Sequence, residues 1–309
     1  MSSAPCIGVL LCMHNGEAYI DAQLDSLAAQ RRRPDHLEIH DWGSTDDTPS
    51  RAERWLQTQH LPAVLIRHAE APGPCASFVQ ALEQFLQRYP ELTHVLFCDQ
   101  DDVWHAARIE AYARVVSATE GPDLVFSDLD LIDARGTRIA DSFYRRSGSP
   151  FRWPVGLDGA DVFLVNPAVG MSMMLSRDLA ELLVQHREAP WPMHDWGAVM
   201  LCHLYRCSWQ FVPKVLGSYR QHEGNLRGAT SARGAVASVR RLRDRVRDSD
   251  RLVRWCAAHI PRTGAQDQVP STRWRAIRCA AGSQNLSVWY RVVLSSLLML
   301  FWPRASSRD

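Results

Sequence analysis

The sequence has 309 residues, with a hydrophobic share of 46% and a charged share of 22%, ordinary values for a globular chain with room for a large core. Its formal net charge of +1 gives no overall pull toward nucleic acid or an anionic surface, so any electrostatic function must be local. The eight cysteines are scattered and include no CxxC pair, which argues against a zinc ribbon or a redox dithiol and fits buried, reduced thiols in the cytosol.

Residues 7–12 form an unbroken apolar run and predict a buried strand. Residues 17–30 follow with Ile20, Leu24 and Leu27 at helical spacing. A strand is expected at 37–40, a helix at 52–59 and a strand at 63–67. Residues 76–89 place Phe78, Leu82, Phe85 and Leu86 on one helical face. Residues 93–98 predict a strand, 106–118 a helix and 124–127 another strand. Such alternation implies an α/β fold with a mostly parallel central sheet and helices on both faces.

From 151 to 229 the pattern is less regular, with a helix expected at 178–185 and a strand at 209–212. An arginine-rich helical stretch at 238–254, a linker near 261–270 and an apolar stretch at 286–302 complete the chain. The expected organisation is therefore a domain over 1–229 and a helical C-terminal extension over 230–309. The apolar end is too short to span a bilayer comfortably, so the extension is expected to touch a membrane surface, dock on the main domain or pair with a second copy. The arginine stretch is interrupted by Asp244, Asp248 and Asp250, and reads as a solvated helix face rather than a nucleic-acid surface. The first residues lack a basic region followed by a long apolar core, so no signal peptide is expected.

In a parallel sheet, ligands gather beyond the carboxyl ends of the strands. Three polar clusters fall there: His14-Asn15-Gly16, Asp41 to Thr48, and Asp99-Gln100-Asp101-Asp102. The run VLFCDQDDVW is the strongest signal, because clustered carboxylates repel one another unless a cation neutralises them. Hard oxygen ligands of this kind suit Mg2+ or Mn2+; the alternative is a solvated loop in which Asp102 caps the next helix. Within the second cluster, Asp46 or Thr48 can cap the following helix, whereas Asp41 at the strand end is placed to meet a ligand. Asp195, in MHDWG, is expected at a helix start. The loop YRQHEGN offers Arg220 to a phosphate and His222 to a metal or phosphate. No GxGxxG follows the first strand, which leaves little for a dinucleotide-dependent oxidoreductase.

Taken in order, VLLCMHNGEAYIDAQLDSLAAQ, HDWGSTDDT, CDQDDVW, NPAVGMSMMLSRDL, MHDWGAVML and YRQHEGNLRGA resemble family 2 glycosyltransferases of the GT-A fold, in their rhamnosyltransferase-like branch. The likeness runs from residue 7 to about 229. It implies a cytoplasmic enzyme, at or near the inner face of the membrane, that transfers a sugar with inversion from a nucleoside-diphosphate sugar to a hydroxyl of a glycan or lipid-linked acceptor. It implies Asp195 as catalytic base and Asp101 with His222 as metal ligands. Donor contacts are implied for Asn15, Asp41, Trp42, Asp99, Gln100, Arg220 and Asn225. The sugar and acceptor pocket is implied at Gly170, His194 and Trp196. Relatives commonly carry a second aspartate where this chain has Trp42, whose ring is expected to stack on the nucleobase instead. The competing readings are a nucleotide-sugar hydrolase using the same metal site and a non-catalytic binding protein on a degenerate transferase fold.

Overall fold

The computed structural model describes residues 4–59, 61–118, 121–157, 159–224, 235–259 and 273–301. Asn225, the expected linker near 261–270 and the expected 229/230 boundary lie outside them. The first half is built as its apolar pattern demands. Strand β1 (Ile7–Met13) is flanked by β2 (His36–Trp42) and β4 (His94–Asp99), with β3 (Ala63–His68) beyond β2, all parallel. Helices α1 (Ile20–Ala28), α2 (Thr48–Thr58) and α3 (Pro74–Arg88) link these strands. Interior parallel strands are covered on both faces, which is why β1 is an apolar run rather than an alternating one.

The second half changes direction. After the short β5 (Val103–Trp104) and α4 (Arg108–Ala118), the long β6 (Leu124–Asp133) carries the small β7 (Arg138–Ala140) on its edge. Strand β8 (Met173–Ser176) lies antiparallel between β4 and β6, and β9 (Trp209–Gln221) runs parallel to β6. The order is β3-β2-β1-β4-β8-β6-β9-β5, a nine-stranded sheet among the described residues, in which only the short β5, β7 and β8 oppose the common direction. Strand β9 is far longer than the expected 209–212; register shifts near Asp128 absorb Pro213 and let pairing with β6 resume out to Gln221.

Helices α5 (Arg177–Gln185) and α6 (His194–Leu204) pack behind the sheet. The first helix is shorter than expected because Glu17 is drawn into a loop contact, its carboxylate accepting from the Asp47 amide at 3.1 Å. All eight cysteines are free thiols.

The extension consists of α7 (Ala235–His259), α8 (Arg273–Gly282) and α9 (Val288–Phe301). No described helix is long and apolar enough to cross a membrane. The turn before α9 docks on the main domain. The Ser283 hydroxyl donates to the buried Asp161 carboxylate at 2.7 Å, the Arg152 amide donates to the Asn285 carbonyl at 2.7 Å, and Phe151 bridges Leu286. Asp161→Ala therefore strands a buried hydroxyl and should cost about 1–3 kcal/mol, seen as a lower melting temperature and faster proteolysis of the extension. Of the alternatives the sequence left open for the extension, docking on the main domain is the one these contacts bear out, while Val288, Val292 and Met299 stay exposed.

Candidate active site

The carboxyl ends of β1, β2 and β4 meet as the strand rule requires. Met13 pairs with Asp41 and Cys12 with Asp99, so these two aspartates flank β1 at nearly the same level. Two strand spacings separate them, about 10 Å. Asp41 is buried, and its Oδ1 finds no hydrogen-bond partner among the described residues. A buried acceptor in that condition is costly unless a ligand satisfies it.

The loops around these strand ends are knitted together. Asn15, at a positive φ of 49°, accepts through Oδ1 from the Thr45 amide at 2.8 Å, while its own amide donates to Ser44 Oγ at 2.9 Å. Gln100 clamps the same loop, accepting from the His14 amide at 2.8 Å and donating to the His14 carbonyl at 3.0 Å. A Cβ on Gly16 would sit 2.2 Å from Gln100 Oε1, so a side chain there would displace the Gln100 clamp. Asp46 Oδ1 accepts from the Thr48 amide at 3.0 Å, the local capping role expected of this segment. Asn15 and Gln100, expected at the donor, thus act on the backbone that shapes its loops.

The acidic turn after β4 is held by β9. The Arg220 amide donates to Asp102 Oδ1 at 2.8 Å and its Nε to the Asp101 carbonyl at 2.7 Å. Arg220 is itself buried, so its guanidinium braces the loop. Asp102 serves as this internal strut rather than as the helix cap the sequence allowed. Asp101 Oδ2 lies 2.8 Å from His222 Nε2, bringing the two expected metal ligands together. Tyr19, which the sequence reading passed over, packs its ring 4.7 Å from that of His222 and 4.9 Å from the Arg220 guanidinium. Burial, then Asp101 and Asp195, push the Asp99 carboxyl up to about 8. Asp195 therefore stands within electrostatic reach of the acidic turn.

Asp195 lies in the first turn of α6, as expected. Its Oδ2 accepts from the Gly170 amide at 2.9 Å and its Oδ1 from the Trp196 amide at 2.6 Å, which fixes the carboxylate on both sides. A Cβ on Gly170 would lie 3.1 Å from His194 Nε2 and 3.3 Å from Asp195 Cβ, so a side chain there would press on the carboxylate. His194 and Trp196, expected in the acceptor pocket, are buried: Trp196 donates its indole N–H to the Val162 carbonyl at 2.6 Å, and His194 lies between Phe78 (4.0 Å) and Phe97 (4.7 Å). They set the start of α6.

Burial pushes the His194 imidazole down to about 3. In the unfolded chain a histidine titrates near 6.5, so below that pH the unfolded chain takes up a proton that the folded one refuses. Stability contributed by neutral His194 is complete above about pH 6.5 and is lost as pH falls toward 3, by up to about 5 kcal/mol. Melting curves between pH 7 and 4.5 should show the loss, and His194→Phe should flatten that slope.

Trp42 departs from expectation. It is 4% exposed, and the parallel register sets His68 beside it, the two rings stacked at 3.7 Å and 7°. The ring face expected for a nucleobase is thus covered by His68.

An acidic turn braced by β9, an unsatisfied aspartate two strands away and a clamped carboxylate at a helix start can together hold a cation with a polyphosphate and accept a proton beside it. The model of the family "Glycosyl transferase family 2" matches residues 8–151. A dTDP-rhamnosyl transferase of Shigella flexneri, RfbG, is 22% identical over 227 residues, covering 71% of this chain and 74% of that protein. Among solved structures, the mannosyltransferase PcManGT of Pyrobaculum calidifontis, in complex with GDP-Man and Mn2+, superposes with a TM-score of 0.56 at 16% identity over 96% of this chain and 86% of the other. TarS of S. aureus, in complex with UDP-GlcNAc, gives 0.54 at 14% over 96% and 89%. With the GT-A fold shared and the segment 8–151 that matches glycosyl transferase family 2 holding the β1, β2 and β4 strand ends, the chain reads as a glycosyltransferase.

Proposed function

We propose that the protein transfers a sugar, with rhamnose the first candidate, from a nucleoside diphosphate to a hydroxyl of a glycan or lipid-linked acceptor, inverting the anomeric centre. The observation that carries this reading is the meeting of Asp101 and His222 at 2.8 Å beside Asp99, whose carboxyl is pushed up by burial, then by Asp101 and Asp195. Asp101 and His222 would hold a divalent cation. Among the described residues no group of three or more His, Cys, Asp or Glu side chains encloses a metal alone. Mg2+ and Mn2+ bind through one or two protein ligands and complete their shell with phosphate oxygens and water. When bound, the cation supplies compensation for the charge of the departing diphosphate.

The chain's own residues do the rest. Asp41 offers its unsatisfied Oδ1 to the nucleoside end of the donor. Arg220 holds the acidic turn in shape through the Asp101 carbonyl. Asp195, its carboxylate oriented by the Gly170 and Trp196 amides, takes the proton of the attacking hydroxyl. A clamped base near the acidic turn is what a single displacement, and hence inversion, would use. The eight free thiols support a reducing, cytoplasmic setting. The test is a panel of nucleoside diphosphates and nucleotide sugars titrated with and without Mn2+, followed by transfer assays on the tightest donor. Mn2+-dependent binding with transfer is expected; sugar release to water alone would favour the hydrolase, and no nucleotide binding would end the reading.

A further inference from the structure

Strand alternation puts Glu38, His40 and Trp42 on one face of β2, and the parallel register puts His68 of β3 beside Trp42 on that face. Glu38 and His40 are fully buried, at 0% exposure each, yet connected. Arg88 Nε lies 2.6 Å from Glu38 Oε1, Glu38 Oε2 lies 2.9 Å from His40 Nε2, and His40 Nδ1 lies 2.9 Å from His68 Nε2. The chain runs from the surface, through the sheet, to a half-buried imidazole at the carboxyl end of β3. It is separate from the Asp101–His222 pair.

The network fixes its own protons. Glu38, paired with Arg88, is a carboxylate and only accepts, so His40 donates from Nε2. With one proton per ring, His40 Nδ1 is then a bare acceptor, and His68 must donate to it from Nε2. That leaves His68 Nδ1 as a lone pair with no hydrogen bond to any described residue. This acceptor at the carboxyl end of β3, in the corner away from the acidic turn, calls for a ligand edge that donates.

We infer that Glu38 and His40 act as positioning residues that lock His68 in its Nε2–H tautomer, and that His68 Nδ1 selects a donor nucleobase carrying a ring imide N–H. This rests on the donor-binding reading above. Uracil and thymine present such an N–H at N3, and guanine presents an equivalent lactam N–H at N1. Cytosine and adenine present a bare ring nitrogen at the same place, which would meet His68 lone pair to lone pair. Selection here comes from the tautomer rather than from charge, and Trp42 serves as the floor on which His68 lies flat.

The experiment measures Kd by calorimetry, with Mn2+ present, for UDP, dTDP, GDP, CDP, ADP and N3-methyl-UDP. At least one imide nucleotide should bind about tenfold more tightly than CDP and ADP, the worth of one hydrogen bond kept from repulsion. If UDP is that nucleotide, its N3-methyl form should lose the same factor. His68→Phe, which keeps the flat contact with Trp42, should erase the preference; His68→Asn, which keeps an acceptor, should restore part of it. Imidazole 15N spectra of the unaltered protein should show His68 protonated at Nε2, and His40→Phe should relax it to a mixture. His68 protonated at Nδ1, or a base preference unchanged in His68→Phe, overturns the inference while leaving the transferase reading intact. Failure of every nucleotide to bind overturns both.

Discussion

Asp195→Asn is expected to lower turnover by about 10²- to 10⁴-fold, the range that a positioned general base contributes, while Mn2+-dependent nucleotide affinity stays near its original value. The reason is local. The carboxylate is pinned by the Gly170 and Trp196 amides, so its orientation is set before any acceptor arrives. Asparagine keeps one acceptor for one of those amides but cannot take a proton. The other amide then faces an NH2 group, which should cost about 1 kcal/mol and appear as a modest drop in melting temperature. Steady-state rates and calorimetry on one preparation separate the two effects. Turnover close to that of the unaltered protein would remove Asp195 from the chemistry.

Asp101→Ala should weaken Mn2+-dependent nucleotide binding by at least about tenfold, since even indirect partners of a metal ligand are worth that much. The loss has two sources. One carboxylate leaves the site, and His222 loses the acceptor that holds its ring at 2.8 Å. His222→Ala should reproduce part of the effect. Titrations with and without Mn2+ are the measurement, and a metal dependence that survives Asp101→Ala would place the cation elsewhere.

Much of the donor half was legible in the sequence, because parallel strands buried on both faces leave unbroken apolar runs and their polar ends are abrupt. Ile7 to Met13 ends in His14-Asn15-Gly16, and β4 ends in the acidic turn, so strand, direction and site could be read together. The second half was less legible. Strand β8 is only four residues long, and β9 contains Pro213, which reads as a break unless the partner strand shifts register to absorb it. Side-chain partnerships were hidden for a different reason. Gln100, Arg220 and Trp42 sit where ligands gather, but hydrogen bonds across 86 residues (Gln100 to His14) and 119 residues (Arg220 to Asp101), and a ring from the next strand, commit them to the protein itself. Those partnerships depend on which loops meet. Tyr19 and His68 were missed likewise, although the strand-end rule applied to β3 would have singled out His68.

Behind the acidic turn lies Arg108, fully buried, with its guanidinium 4.1 Å from the Trp104 ring and its charge felt at both Asp99 and Asp102. A guanidinium keeps its proton throughout the working range, and counter-ions in the buffer screen a charge sealed beneath aromatic rings far less than one on the surface. Part of the field on these carboxylates is thus written into the covalent structure, present before any cation binds and indifferent to the salinity of the cell.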